Sequence, residues 1–234
     1  MLWVWGWHVL ESITKNRSRK IFKIQLLMQN KEKVENLLRN SQNFQKTQIE
    51  IVDNNFLNKK YGSQHQGIAM QVSQINFFSL KDWTNKQERK SFLIACDLLN
   101  DPHNLGAIIR TCKALGANGI LVTNNKSAPF NGALVKATAG ALESFDVIMV
   151  TNLATSLMFL KKEGFIIYGL DHRGESHWEK ADRSVVVVGQ EGAGLRDLTK
   201  KRCDYTIRIR TKEDFSVLNV SVASGIIVSK FLGG

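Results

Sequence analysis

The sequence predicts an α/β protein whose larger part is a parallel sheet covered by helices on both faces, and three observations predict it. From Ser91 onward, strand-like runs alternate with helix-like runs, the pattern of a parallel sheet with crossover helices. Val185-Val186-Val187-Val188 places four β-branched residues in a row without alternation, as in a strand buried on both faces. That run ends in Gly189-Gln190-Glu191-Gly192-Ala193-Gly194-Leu195, whose glycines let the backbone adopt positive φ and approach a ligand closely. In open α/β sheets the ligand crevice lies outside the carboxyl ends of the strands, so this turn is the first candidate for a cofactor site. The alternative is a tight strand-to-helix turn with no ligand, since one glycine motif alone is weak.

Taken in order, residues 8–15 and 31–39 have helical spacing, with Val34, Leu37 and Leu38 on one face of the second. Residues 21–27, 49–52 and 67–72 read as strands, giving a small α/β domain over 1–78. The opening Met1-Leu2-Trp3-Val4-Trp5-Gly6-Trp7-His8 is apolar, but it lacks the basic start and small-residue cleavage site of a signal peptide. Residues 79–90, polar through Asn85-Lys86-Gln87-Glu88-Arg89-Lys90, read as a linker. The larger domain occupies 91–234, with strands at 92–97, 119–123, 145–150, 165–170, 184–188 and 205–209. Helices fall at 104–115, 132–139, 153–163, 195–202 and 219–231, and Gly116 and Gly164 stand where C-caps belong.

Composition limits the function. A chain of 234 residues holds one large or two modest domains, and no apolar run approaches the ~18 residues of a membrane span. The formal charge of +11 points to a polyanionic partner. Residues 1–90 hold most of it, with 15 Lys and Arg against 7 Asp and Glu, clustered at Lys15-Asn16-Arg17-Ser18-Arg19-Lys20 and Lys59-Lys60. Cys96, Cys112 and Cys203 fit no metal or disulfide spacing and read as reduced thiols of a cytoplasmic protein.

Two further constellations accompany the glycine turn. Asn100-Asp101-Pro102-His103-Asn104-Leu105-Gly106-Ala107-Ile108-Ile109-Arg110-Thr111 follows a strand and opens a helix on Asp101 and Pro102, with Arg110 projecting from it. Phe215-Ser216-Val217-Leu218-Asn219-Val220-Ser221-Val222-Ala223 opens the last helix, where Ser216 or Asn219 alone would be read as an N-cap. All three turns fall at carboxyl ends of predicted strands and should converge on one site.

These segments, in this order and spacing, resemble the three motifs of the SpoU family of RNA 2′-O-ribose methyltransferases, whose superfamily carries a trefoil-knotted S-adenosylmethionine site. Ser127-Ala128-Pro129 and Lys136-Ala137-Thr138-Ala139-Gly140-Ala141-Leu142-Glu143 also look like the family, and the resemblance covers residues 92–231. Gly6-Trp7-His8-Val9-Leu10-Glu11 and His65-Gln66-Gly67-Ile68 are similar to the ends of the L30e-like RNA-binding domain found in the branch that methylates a guanosine of large-subunit rRNA.

The resemblance implies a knotted, homodimeric, cytoplasmic enzyme that needs no metal and no membrane, with rRNA as partner and tRNA as the alternative substrate. It implies Arg110, Asn104, Glu191 and Asn219 as catalytic residues. S-adenosylmethionine would be held largely by backbone at Gly189, Gly192, Ile209 and Leu218, with Gly169 and Leu170 nearby. The family's usual Ser-Leu-Asn reads Val217-Leu218-Asn219 here, which makes Ser216 the candidate substitute. In-line methyl transfer depends mostly on positioning. A guanidinium stays protonated, so Arg110 suits phosphate binding and stabilisation of developing alkoxide charge better than general base catalysis. A nicotinamide dehydrogenase would need G-x-G-x-x-G after the first strand of its domain, whereas Gly189, Gly192 and Gly194 follow a late one. The non-enzymatic alternative is an RNA-binding or ribosome-assembly factor that keeps the fold without turnover.

Overall fold

The computed structural model describes residues 1–39, 46–124, 127–190, 192–212 and 218–233. They form two compact units. The first comprises Met1–Asn76 with Phe130–Ser144, and the second Phe77–Pro129 with Phe145–Gly234.

In the first unit, β1 (Leu2–Trp5), β2 (Ile21–Leu26), β3 (Gln48–Ile51) and β4 (Ile68–Val72) make a sheet in the order β1-β4-β2-β3. β4 is antiparallel to both neighbours, and β2 and β3 run parallel. Helices α1 (Trp7–Lys15) and α2 (Lys31–Arg39) match the predicted spacing, burying Val9, Leu10 and Ile13 from the first and Val34 from the second. Sequence reading missed β1 and α3 (Asn54–Tyr61). β1 pairs with a strand far along the chain, and only Val4 of its residues is fully buried, so alternation gave little sign of it. α3 is mostly polar and buries only Leu57 and Tyr61, although Asp53 caps it by accepting the Phe56 N–H at 2.7 Å.

The segment 130–144 belongs to this unit although its sequence sits inside the span expected for the larger domain. The Arg19 guanidinium pairs with Glu143 at 2.8 Å, with both side chains at most 3% exposed. Asn16 Nδ2 donates to the Glu143 carbonyl at 2.7 Å and to its carboxylate at 3.2 Å. A Cβ on Gly132 would lie 2.3 Å from the Trp5 ring, so only glycine permits this approach.

The second unit is a parallel sheet in the order β10-β8-β9-β5-β6-β7, built from β5 (Ser91–Cys96), β6 (Gly119–Thr123), β7 (Val147–Val150), β8 (Ile166–Glu175), β9 (Arg183–Val188) and β10 (Tyr205–Ile207). β9 lies between β8 and β5, and Val185–Val188 are at most 1% exposed, as the unbroken valine run requires. α4 (Leu80–Asn85), α5 (Pro102–Leu115), α7 (Leu153–Lys162), α8 (Asp197–Lys200) and α9 (Val220–Leu232) belong to this unit, whereas α6 (Gly132–Ala137) belongs to the first.

Three departures from the predicted elements have identifiable causes. Within the expected linker, Leu80–Asn85 is helical because Ser79 caps it, and Trp83, fully buried against Phe165 at 6.0 Å, anchors it to the core. α8 starts at Asp197 rather than 195 because Arg196 is held extended, its N–H donated to Asp97. β8 runs five residues beyond its predicted end at 170 because its pairing with β10 jumps from Thr206↔Gly169 to Ile207↔Glu175. The residues between bulge out of the ladder.

Candidate active site

The β8 bulge, the turn after β9, the segment after β10 and the start of α9 enclose a cavity of about 660 Å³ at the carboxyl side of the sheet. That volume lies in the range of small-molecule sites, and the position is the one expected in open α/β sheets. The turn is closed by Gln190 N–H to the Gly194 carbonyl at 3.2 Å and Gly194 N–H to the Gln190 carbonyl at 2.8 Å. Gly192 and Gly194 have φ of 81° and 68°. A Cβ on Gly189 would meet the Gly194 carbonyl at 2.2 Å, so the turn cannot close with any other residue there.

One buried carboxylate fixes the far end of this turn. Asp97, fully buried at the end of β5, accepts the Arg196 N–H at 3.0 Å, Nε at 2.7 Å and Nη2 at 2.6 Å. The next residue, Leu98, has φ of 61°, a strained value for leucine, directly ahead of the loop that opens α5. Asp97 therefore ties the glycine turn to that loop. On the other wall, Asp171 pairs with Lys200 at 2.6 Å. Burial works to raise this carboxyl, but Lys200 and the Arg173 backbone and side-chain donors outweigh it and hold it well below the usual carboxylate range.

Asn104 of α5 meets Asn219, the N-cap of α9. The Asn219 Oδ1 accepts the Ser221 N–H at 2.9 Å and the Ser221 hydroxyl at 2.6 Å. A backbone N–H can only donate, so this orients the Asn219 amide, whose Nδ2 donates to Asn104 Oδ1 at 3.1 Å. This contact assigns the Asn104 oxygen as the acceptor. Arg110 is exposed on α5, with no hydrogen bond or ion pair to any described residue.

Of the residues proposed to hold a cofactor, Leu170, Gly189, Gly192, Ile209 and Leu218 line the cavity. Gly169 does not. It packs behind the wall, where a Cβ would meet Cys203 Sγ at 2.8 Å and Leu195 Cδ1 at 2.9 Å. Glu191 and Ser216, with Val217, lie outside the described residues. Sequence reading missed Asp97 with Arg196, Asp171 with Lys200, and the cations of 208–212. An acid at the end of a buried strand signals the first pair, and the alternation Arg208-x-Arg210-x-Lys212 signals the last group. Cys96, Cys112 and Cys203 are free thiols, and burial pushes Cys112 and Cys203 up to about 12. Among the described residues, no cluster of His, Cys, Asp or Glu could hold a metal, and no helix is long and apolar enough to cross a membrane.

A parallel α/β sheet with a glycine-lined cavity at its carboxyl edge is the arrangement of the cofactor-binding α/β proteins. The chain belongs to the SpoU rRNA Methylase family, which it matches over residues 91–229, while residues 3–78 match the RNA 2′-O ribose methyltransferase substrate binding family. It is an RNA methyltransferase that uses S-adenosylmethionine. The cavity fits that cofactor: Leu170, Ile209 and Leu218 offer apolar contact to a base, and Gly192 leaves backbone open to it, with nothing within 4 Å of where a Cβ would be.

An uncharacterized tRNA/rRNA methyltransferase of Synechocystis is 41% identical over 187 residues, 77% of this chain and 49% of that one. The chain thus spans about half the length of that relative. The 23S rRNA (guanosine-2′-O-)-methyltransferase RlmB of Neisseria meningitidis is 36% identical over 173 residues, 72% of this chain and 69% of its own. Among solved structures, the SpoU methyltransferase AviRb of Streptomyces viridochromogenes, in complex with AdoMet, superposes with a TM-score of 0.82 at 20% identity, covering 99% of this chain and 89% of that one.

Proposed function

We propose that the chain transfers a methyl group from S-adenosylmethionine to the ribose 2′-hydroxyl of a guanosine in large-subunit rRNA. The observation that carries the substrate is the similarity to RlmB, accompanied by a match to a substrate-binding family over residues 3–78. A tRNA substrate is the second reading, favoured by relatives described as tRNA/rRNA methyltransferases.

The sulfonium cofactor supplies an electrophilic methyl carbon. Gly189, Gly192, Ile209 and Leu218 hold it, mainly by backbone groups, with Leu170 against it. Arg110, exposed and unpaired among the described residues, takes a phosphate of the RNA and stabilises the negative charge that develops on the ribose oxygen. Asn104, held by Asn219, belongs to the polar set that serves the same step. By the family resemblance, Glu191 is assigned to the same catalytic set and Ser216 is the candidate for the hydroxyl that Val217 lacks. The reaction class needs alignment more than acid–base chemistry, and two preset amides with a free guanidinium serve alignment. The family resemblance further supports a trefoil-knotted, homodimeric, cytoplasmic protein, and light scattering of the purified chain tests the dimer.

The substrate is tested by mapping ribose methylation in rRNA and tRNA from cells with and without the protein. Loss of one 2′-O-methylguanosine in the large-subunit rRNA is expected. Loss of a tRNA methyl group with rRNA unchanged would establish the second reading. No change in either, with S-adenosylmethionine unbound by calorimetry, would leave a binding factor without turnover.

A further inference from the structure

β10 ends at Ile207, yet the chain keeps the alternation of an extended strand beyond it. Ile207 is buried, Arg208 exposed, Ile209 half-buried, Arg210 exposed, Thr211 half-buried and Lys212 exposed. The Arg208 N–H donates to the Glu175 carbonyl at 2.8 Å, which fixes the start of this strip against the end of β8. Alternate residues of an extended chain lie about 6.6 Å apart on one side, so the three cations form an evenly spaced row. All three line the cavity.

Among the described residues, several cations of the same unit face an acid, and these three do not. Lys161 pairs with Asp204 at 2.7 Å, Arg196 with Asp97 at 2.6 Å and Lys200 with Asp171 at 2.6 Å. Arg208, Arg210 and Lys212 have no acidic partner among the described residues. S-adenosylmethionine carries a net positive charge and a single carboxylate, so a row of three cations exceeds what it could pair with. A chain of phosphates, one charge per nucleotide, is the ligand that such a row matches.

We propose that Arg208, Arg210 and Lys212 form a phosphate track that holds the backbone of the substrate RNA across the mouth of the cofactor cavity. This deepens the methyl-transfer reading and rests on it for the identity of the RNA as substrate. The track lies in the second unit, which carries the smaller share of the net charge, so the small unit is not the sole RNA-binding surface. It sits at the same cavity as Leu218 and Val220, which flank Asn219, and thus brings the backbone toward the Asn104–Asn219 pair.

The test uses the full chain with Arg208→Gln, Arg210→Gln and Lys212→Gln combined, alongside Lys162→Gln with Lys201→Gln, which removes exposed charges away from the cavity. Thermal melts establish that both variants fold, and single Arg210→Gln replaces the triple variant if it does not. Binding of a fluorescein-labelled RNA hairpin is measured by anisotropy over a salt series, and S-adenosylmethionine binding by calorimetry. The triple variant should bind RNA at least tenfold more weakly at low salt and flatten the log K against log[salt] slope by roughly 2, with cofactor affinity within twofold of wild type. Arg210→Gln should flatten it by roughly 0.7. The control should leave both the slope and the methyl-transfer rate near wild type.

An unchanged RNA slope overturns the track, and so does an equal loss in the control. Cofactor affinity lost with RNA binding intact would overturn it too, placing the cations on the cofactor's carboxylate. Failure of the wild type to bind cofactor or transfer methyl would instead count against the function reading, since the RNA salt slopes are read without turnover.

Discussion

The residues that matter divide into those that touch reactants and those that hold the others in place. Arg110 is proposed to be of the first kind: it is exposed and unpaired among the described residues and does not line the cavity proposed for the cofactor. Arg110→Ala should therefore abolish methyl transfer and leave the dissociation constant for S-adenosylmethionine within about twofold, measured by calorimetry. A large loss of cofactor affinity would put Arg110 in the cofactor site instead. Arg196 is of the second kind. Arg196→Ala leaves the fully buried Asp97 with the Arg196 N–H but without its counter-charge, which destabilises the fold. The melting temperature should fall, and cofactor affinity should fall with it, because the glycine turn loses the clamp at its closing end. Arg196→Lys, which keeps the charge but not the two-pronged geometry, should recover part of both. Retained cofactor affinity in Arg196→Ala would reduce the pair to a purely structural role.

Among the elements, the turn Ser63–His65 that leads into β4 contains a histidine set for one charge state. His65 is 3% exposed; its Nδ1 accepts the Gly67 N–H at 2.8 Å, and its Nε2 faces Asn58 Oδ1 at 3.0 Å. That pattern requires the neutral ring with the proton on Nε2. Burial, with Lys136 nearby, lowers its pKa below the ordinary 6.5. The unfolded chain then takes up a proton before the folded one does. The stability that His65 contributes is full above about 6.5 and is lost as the pH falls from there through the lower folded value. Thermal melts should show this decline in the wild type, and His65→Gln should flatten it; an equally steep decline in the variant would assign it to other groups.

Elements with strong local signals were legible in the sequence. The valine run identified the central strand, and Asp101-Pro102 with Gly116 marked both ends of α5. The failures share a physical cause, which is dependence on a partner distant in sequence. β1 needs β4 to be a strand, α4 needs the pocket that receives Trp83, and the late start of α8 needs Asp97, 99 residues earlier. The site divides in the same way. Glycines and motif polar residues announce themselves locally, but the clamp through Asp97 and the bare row after β10 become visible only when the sheet is assembled.

For the whole molecule, the division of the chain decides what a fragment can do. Every residue that lines the cofactor cavity lies in the second unit. Residues 77–234, which keep Trp83 and the rest of that unit, should therefore bind S-adenosylmethionine with an affinity within several-fold of the full chain, read by calorimetry. They should bind RNA much more weakly, because residues 1–76 carry 11 Lys and Arg against 5 Asp and Glu, and phosphate neutralisation supplies much of such affinity. The salt slope should be shallower but not flat, since Arg208, Arg210 and Lys212 remain. RNA binding equal to that of the full chain would leave the small unit without a role as RNA reader.

The buried Arg19–Glu143 pair also sets a schedule for synthesis. A chain leaving the ribosome completes β4 long before residue 143 exists, so for that interval Arg19 has no anion and Trp5 lacks the cover that Gly132 permits. At about 5–20 residues per second the wait is on the order of several seconds. The small unit, first to be made, is finished only after the sheet of its neighbour has begun to form. Its nascent form, with an uncovered tryptophan edge and an unpaired buried cation, is the species that a chaperone would meet.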